Sequence, residues 1–380
     1  MVKIDMKKKL NIDIYRKRKH RQVFNKRVKY ISFIVLILIF LVLIWIFFIN
    51  QKIYSQDDSN FPITLSEDPV VGFEKNKTGF VVLTNQNLDF YSLSGLKLRS
   101  VGNTAISPSI NSCGDHTLLY EQGGTSYSIE SNSQTIAKNI LDSKIMLAKV
   151  AENGNVAFVL QDSRYICGLV VYDKSSNQIF KWNSAENIIT DFCFTNNGQG
   201  CVALTMGAKG GYAKGAIYGL NFSRKDELFK TEIGNSMPIG VRASGGSVCV
   251  NCENKLVFMD DRGSIFKEIP HPDRLMRCVM APNDYSVFVF CDELKEKTNL
   301  IVYDKLGSEV GNLKLDDKVK NIDSDGKNVV ILTDDSIICC DMQLKILNNV
   351  ENKQNVDKII CMDSFGYNIS SNRIHKFLLH

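Results

Sequence analysis

Residues 70–95 read VVGFEKNKTGFVVLTNQNLDFYSLSG. The turn Asn76-Lys77-Thr78-Gly79 leads into the apolar run FVVLT, and Asn85-Gln86-Asn87 leads into a second run that ends at Gly95. Two short apolar runs joined by turn residues predict antiparallel strands. A solid run, rather than alternation of apolar and polar residues, marks a strand packed on both faces. Working outward, the pattern recurs in GDHTLLYE (114–121), NGNVAFVLQ (153–161), NGQGCVALT (197–205), GGSVCVNC (245–252), NDYSVFVFC (283–291), DGKNVVILT (325–333) and FGYNISSN (365–372). A further strand follows each, often ending in an aromatic and then an acid, as in GLVVYDKSS and NLIVYDKLG. A more polar strand such as SIFKEI completes most units.

The innermost strands are expected to start near Val70, Ser109, Met146, Ile189, Ile239, Met276, Val319 and Asp357. Seven steps then span 287 residues, a mean period of 41. That is the length of a four-stranded blade, so the sequence predicts an all-β propeller of eight blades, with seven as the alternative count. A β-sandwich would carry one polar face on most strands, and a helical repeat would show a 3.6-residue period. The last unit supplies only three strands, while residues 60–65 (NFPITL) form a strand candidate ahead of the first unit. Pairing the two would close the ring and remove exposed sheet edges.

Tyr30–Ile49, YISFIVLILIFLVLIWIFFI, is a run of twenty residues without a charge. As a helix it would reach about 30 Å, the thickness of a bilayer's hydrocarbon core. The 29 residues before it carry twelve Lys or Arg against Asp5 and Asp13, a net +10, so the chain beyond them sums to −5 within the overall +5. The basic flank places the N-terminus in the cytoplasm and the C-terminal domain outside the cell. It also favours anionic lipid headgroups over nucleic acid as its partner. The run exceeds a signal peptide's apolar core, and NQKIYSQDDSN after it offers no small-x-small cleavage site. The expected order is a basic cytoplasmic tail (1–29), a single-pass signal-anchor helix in the cell membrane (30–49), a linker (50–59) and the propeller (60–380).

With 60–65 as an outer strand, the chain enters the ring on one face. The second-to-third strand loops and the blade-to-blade connections then share the other face, which is expected to lie distal to the membrane. Three of those loops are long: QDSRYIC (161–167), MGAKGGYAKG (206–215) and CDELKEKT (291–298). Extended loops on a rigid scaffold commonly carry binding. They single out Arg164, Tyr165, Lys209, Tyr212, Lys214, Glu293 and Lys295 as partner-binding candidates. His271, Asp273 and Arg274 join them from a blade-to-blade connection.

Catalytic chemistry finds little support. The Gly-rich 206–215 segment lacks P-loop spacing and reads as a flexible hairpin loop. Cys249 and Cys252 have C-x-x-C spacing, and Cys339-Cys340 are adjacent, but they sit in strand-like apolar runs where Cys behaves as a small hydrophobe. The eleven cysteines are an odd number and do not read as a disulfide framework. Asp323-Ser324-Asp325-Gly326 imitates part of a calcium loop without its terminal Glu. No catalytic residue, metal site or cofactor is assigned.

In its layout, and in units such as VVGFEKNKTGFVVLTNQNLDFYSLSG, the chain resembles a group of single-pass membrane proteins of Firmicutes, chiefly clostridia, with a basic N-terminus, one helix and a propeller-like exterior. More distantly it is similar to quinoprotein-like and WD40-like propellers, though its two tryptophans fall short of one per blade. The resemblance implies no activity to carry over. The expected function is a membrane-anchored interaction module or scaffold that binds an envelope protein, peptide or glycan. A cell-envelope hydrolase with its site at the propeller channel, or an envelope sensor, is the alternative.

Overall fold

The computed structural model describes residues 60–380 except 273, 281–284, 293–296 and 353–354. The expected tail, membrane span and linker lie outside the described residues. Among the described residues no helix is long and apolar enough to cross a membrane.

The chain forms eight four-stranded antiparallel sheets, the eight blades of a propeller. Blade 1 contains Val70–Asn76, Gly79–Thr84, Asn87–Ser92 and Lys97–Gly102, from the channel outward. The inner strands of blades 2 to 8 are Pro108–Cys113, Ile145–Val150, Ile188–Thr195, Pro238–Ser244, Arg274–Met280, Val319–Ser324 and Lys358–Met362. Each begins within two residues of its expected start. Second strands are mostly buried, and Gly79–Thr84 and Asn328–Thr333 wholly so, because each faces a neighbouring blade on both sides. Outer strands such as Ile346–Glu351 are almost wholly exposed.

There is no single core. Eight apolar clusters occupy the eight gaps between neighbouring blades. Period-two alternation divides each second strand between two of them. Val82 faces the gap to blade 8, and Val81 the gap to blade 2.

The acid that ends many third strands has a specific task. Asp173, Asp260, Asp304 and Asp341 each use Oδ1 to accept two backbone N–H groups of the turn to the outer strand. The fourth residue of each turn has positive φ: Ser176, Gly263, Gly307 and Leu344. Glycine adopts that conformation without the Cβ clash other residues incur.

The outer strand of blade 8 comes from the start of the described chain. Ile63–Thr64 pairs with Arg373–Leu378 through Ile63↔Ile374 and Thr64↔Arg373. Ile63 and Leu65 are buried in the cluster between blades 8 and 1. Two faces result. The turn face carries the inner-to-second and third-to-outer turns, and the connection face carries the second-to-third loops and the blade-to-blade connections. Asn60 lies on the turn face, its Nδ2 donating to Ser94 O in a blade 1 turn at 3.0 Å.

Candidate binding faces of the propeller

Inner strands have one edge toward the channel, where backbone N–H groups lack a sheet partner. Side chains of the preceding blade supply several of these partners. Glu74 of blade 1 accepts from Ser112 N (2.6 Å) and Asn111 of blade 2 accepts from Val150 N (2.9 Å). Asp191 of blade 4 accepts from Val241 N (3.0 Å) and Asp323 of blade 7 accepts from Cys361 N (2.8 Å). Two lysines extend the links. Lys149 of blade 3 donates to Asp191 and to Phe192 O, and Lys75 of blade 1 donates to Asp323 and Ser324 O.

Of these groups, Glu74, Lys75, Asn111, Lys149 and Asp323 line a cavity of about 1180 Å³ that opens on the turn face. Burial pushes the Glu74 carboxyl up to about 7, against the pull of the Ser112 amide, Arg242 and Lys149. Burial also dominates at Lys149 and, with Arg242, holds its ammonium below the usual lysine range. Cys193 beside them is pushed up to about 11 by burial, so it is no activated thiolate. The inner-strand carboxylates Glu74, Asp191 and Asp323 each hold a backbone amide, and the two aspartates also hold a lysine. Among the described residues no group of three or more His, Cys, Asp or Glu is placed to hold a metal ion.

Cys249 and Cys252 fall on opposite faces of blade 5, Cys249 toward blade 6 and Cys252 toward blade 4. Cys339 and Cys340 divide in the same way between the gaps on either side of blade 7. Neither pair can chelate or bridge, and strand alternation was the signal that said so.

On the connection face the segment read as a flexible hairpin loop at 206–215 is a hairpin whose strands continue to its tip as a β-ribbon. Gly200–Lys209 and Tyr212–Asn221 pair to their tips, Lys209↔Tyr212. Gly210 and Gly211 both have positive φ and make the two-residue turn of this hairpin. Tyr212 is 66% exposed at the tip, and Lys214 is exposed beside it. In blade 3, Asp162 Oδ1 accepts from Arg164 N and Tyr165 N and presents both side chains to solvent. His271 is half-buried, its ring edge-on to Phe290 and its backbone N–H donating to Asn254 O at 3.0 Å. Arg274 opens the inner strand of blade 6. Asp273, Glu293 and Lys295 lie outside the described residues.

The residues that sequence reasoning missed are apolar. Ile106, in the connection from blade 1 to blade 2, is 94% exposed, and Ile140, at the end of blade 2's outer strand, is 77% exposed. Val71 and Ile239 join them at inner-strand bulges, where an extra residue is left out of the ladder. With Tyr165, Ile166 and Tyr212 they stud the connection face from blade 1 to blade 5.

A model of a family of unknown function, DUF5711, matches residues 51–376. The chain belongs to the DUF5711 family. A comparison with the curated proteins gives this DUF5711 chain no match. Among solved structures it is similar to BamB from Moraxella catarrhalis, at 10% identity over 83% of this chain and 98% of that one, with a TM-score of 0.55. It is also similar to apo AztD from Citrobacter koseri, at 12% identity over 78% and 89%, with a TM-score of 0.53. At these identities the likeness shows the propeller fold alone.

Proposed function

We propose that this DUF5711 protein is a membrane-anchored, extracytoplasmic interaction module that holds a protein or peptide partner on its connection face. The observation that carries this reading is the arc of exposed apolar side chains from Val71 to Ile239, with Ile106 and Ile140 almost bare. Apolar residues grouped on one face, with tyrosines among them, are the composition of a protein-binding surface. The channel gives a hydrolase less support, because each of its inner-strand carboxylates serves a neighbouring blade. The anchor rests on Tyr30–Ile49, whose uncharged length suits a bilayer.

Photo-crosslinking on intact cells tests the face. A crosslinker at Ile106 or Tyr212 is expected to capture one discrete partner, and Ile140→Asp in the same chain to remove most of the product. Equal capture from positions on the turn face would overturn the assignment. For the anchor, an impermeant thiol reagent should reach a cysteine introduced at Tyr212 on intact cells. Protection there, with labelling in detergent, would reverse the topology.

A further inference from the structure

The exposed apolar residues that are not on the connection face gather at one other level, the outer corner of the turn face. Leu306 is 59% and Leu96 57% exposed, both in third-to-outer turns. Leu98, Phe266 and Leu347 are exposed one turn away, and Leu378 ends the third strand of blade 8 at the same height. The recurrence has a local cause. The outer strands of blades 1, 5 and 7 each carry a bulge near their start, and the residue left out of the ladder is Leu98, Phe266 or Leu347 respectively. Because the blades repeat the same geometry around a ring, these side chains fall near one plane.

The second observation is where the described chain starts. Asn60 leaves the ring at this same corner, tied to Ser94 in the turn that carries Leu96. Ten residues, 50–59, separate it from the end of the apolar run at Ile49. Fully extended, they reach at most about 35 Å. The connection face, by contrast, lies at the opposite end of every strand.

We propose that the outer corner of the turn face rests on the lipid bilayer, with Leu96, Leu98, Phe266, Leu306, Leu347 and Leu378 entering its interfacial layer. The proposal rests on the reading of residues 30–49 as an anchor. Shallow insertion of apolar side chains is how non-spanning surfaces bind membranes. The third-to-outer turns with their flanking strand ends carry seven bases (Lys97, Lys174, Arg224, Lys225, Arg262, Lys305, Lys345) against nine acids (Glu130, Asp173, Asp226, Glu227, Asp260, Asp261, Asp304, Glu309, Asp341). Apolar insertion, rather than attraction to anionic headgroups, therefore carries the contact.

The full chain in single-copy nanodiscs, with an environment-sensitive fluorophore on one introduced cysteine, tests this. Labels at Leu306→Cys and Leu347→Cys should be quenched by headgroup-level spin-labelled lipid about twofold or more beyond a label at Ile106→Cys. Quenching should be similar in zwitterionic and anionic lipid. A Leu96→Ser/Leu98→Ser/Phe266→Ser chain should lose it at position 306 while keeping its melting temperature. Equal quenching on both faces, or none on the turn face, overturns the proposal. Shielding that appears only with two copies per disc also overturns it, and assigns the collar to self-association. Carbonate extraction separates the two readings: a chain released from membranes fails as an anchored protein, whereas a retained chain with unquenched turn-face labels fails only this proposal.

Discussion

Lys75 and Asp323 are separated by 248 positions in the chain, and Lys75 Nζ lies 2.9 Å from both carboxylate oxygens. The pair spans from blade 1 to blade 7 across the inner strand of blade 8, whose Cys361 N–H binds the same carboxylate. It therefore fastens three blades at the point where the ring is closed. Both side chains are largely shielded, so removing one leaves a charge in a partly dry site. Lys75→Met should cost about 1–3 kcal/mol in urea denaturation of the full chain. The double variant with Asp323→Asn should cost less than the two single changes added together. Additive losses would show that the two act independently.

Glu74 gives a pH signature. Its carboxyl, ordinarily near 4.5, is raised to about 7 by burial in the folded protein. A raised carboxyl contributes stability below the unfolded value, and that stability is lost as pH rises through about 7. Gln at this position can still accept from Ser112 N. The melting temperature of Glu74→Gln should therefore rise relative to wild type between pH 5 and 8, and level off above that. A difference that stays flat with pH would exclude a titrating Glu74.

The turns to the outer strands predict changes of opposite sign. Asp304→Ala leaves the N–H groups of Leu306 and Ser308 without their acceptor and should cost about 1–2 kcal/mol. Ser176 has φ of 65° at the position where blades 5 and 6 have glycine. Ser176→Gly should stabilise by up to about 1 kcal/mol, read from the same denaturation curves.

Closure is open to a direct check. Ile63 and Leu65 fill the gap between blades 8 and 1 beside Tyr367 and Phe80. Leu65→Ala should lower stability by about 2–4 kcal/mol. Replacing 61–65 with Gly-Ser repeats should lower it further. A melting temperature unmoved by the replacement would mean that the ring holds without its outer strand.

The propeller was legible in the sequence because its strongest signal, six-residue runs such as Gly79–Thr84, is set by burial on both faces and repeats with the blade. The candidate surface was legible only in part. Glycine in 206–215 marks a hairpin, but composition does not show that its strands pair all the way to the tip. Ile106 lies in a blade connection and Ile140 at the end of an outer strand, and nothing in the sequence shows that the two share one face. Only the blade-to-blade geometry leaves them bare. The channel groups were hidden because Glu74, Asp191 and Asp323 serve backbone amides of the next blade, which no local pattern reveals.

The eight gap-filling clusters have a mechanical consequence. A stacked array of repeats has two end units that need covering, but a ring has none, and each blade is braced from both sides. The one seam is the outer strand of blade 8, Ile63–Thr64, only two residues long. Tension applied through the segment that precedes Asn60 arrives there first. The strand that completes the ring is thus also the one a pulling load would release, with every other blade spared until it gives way.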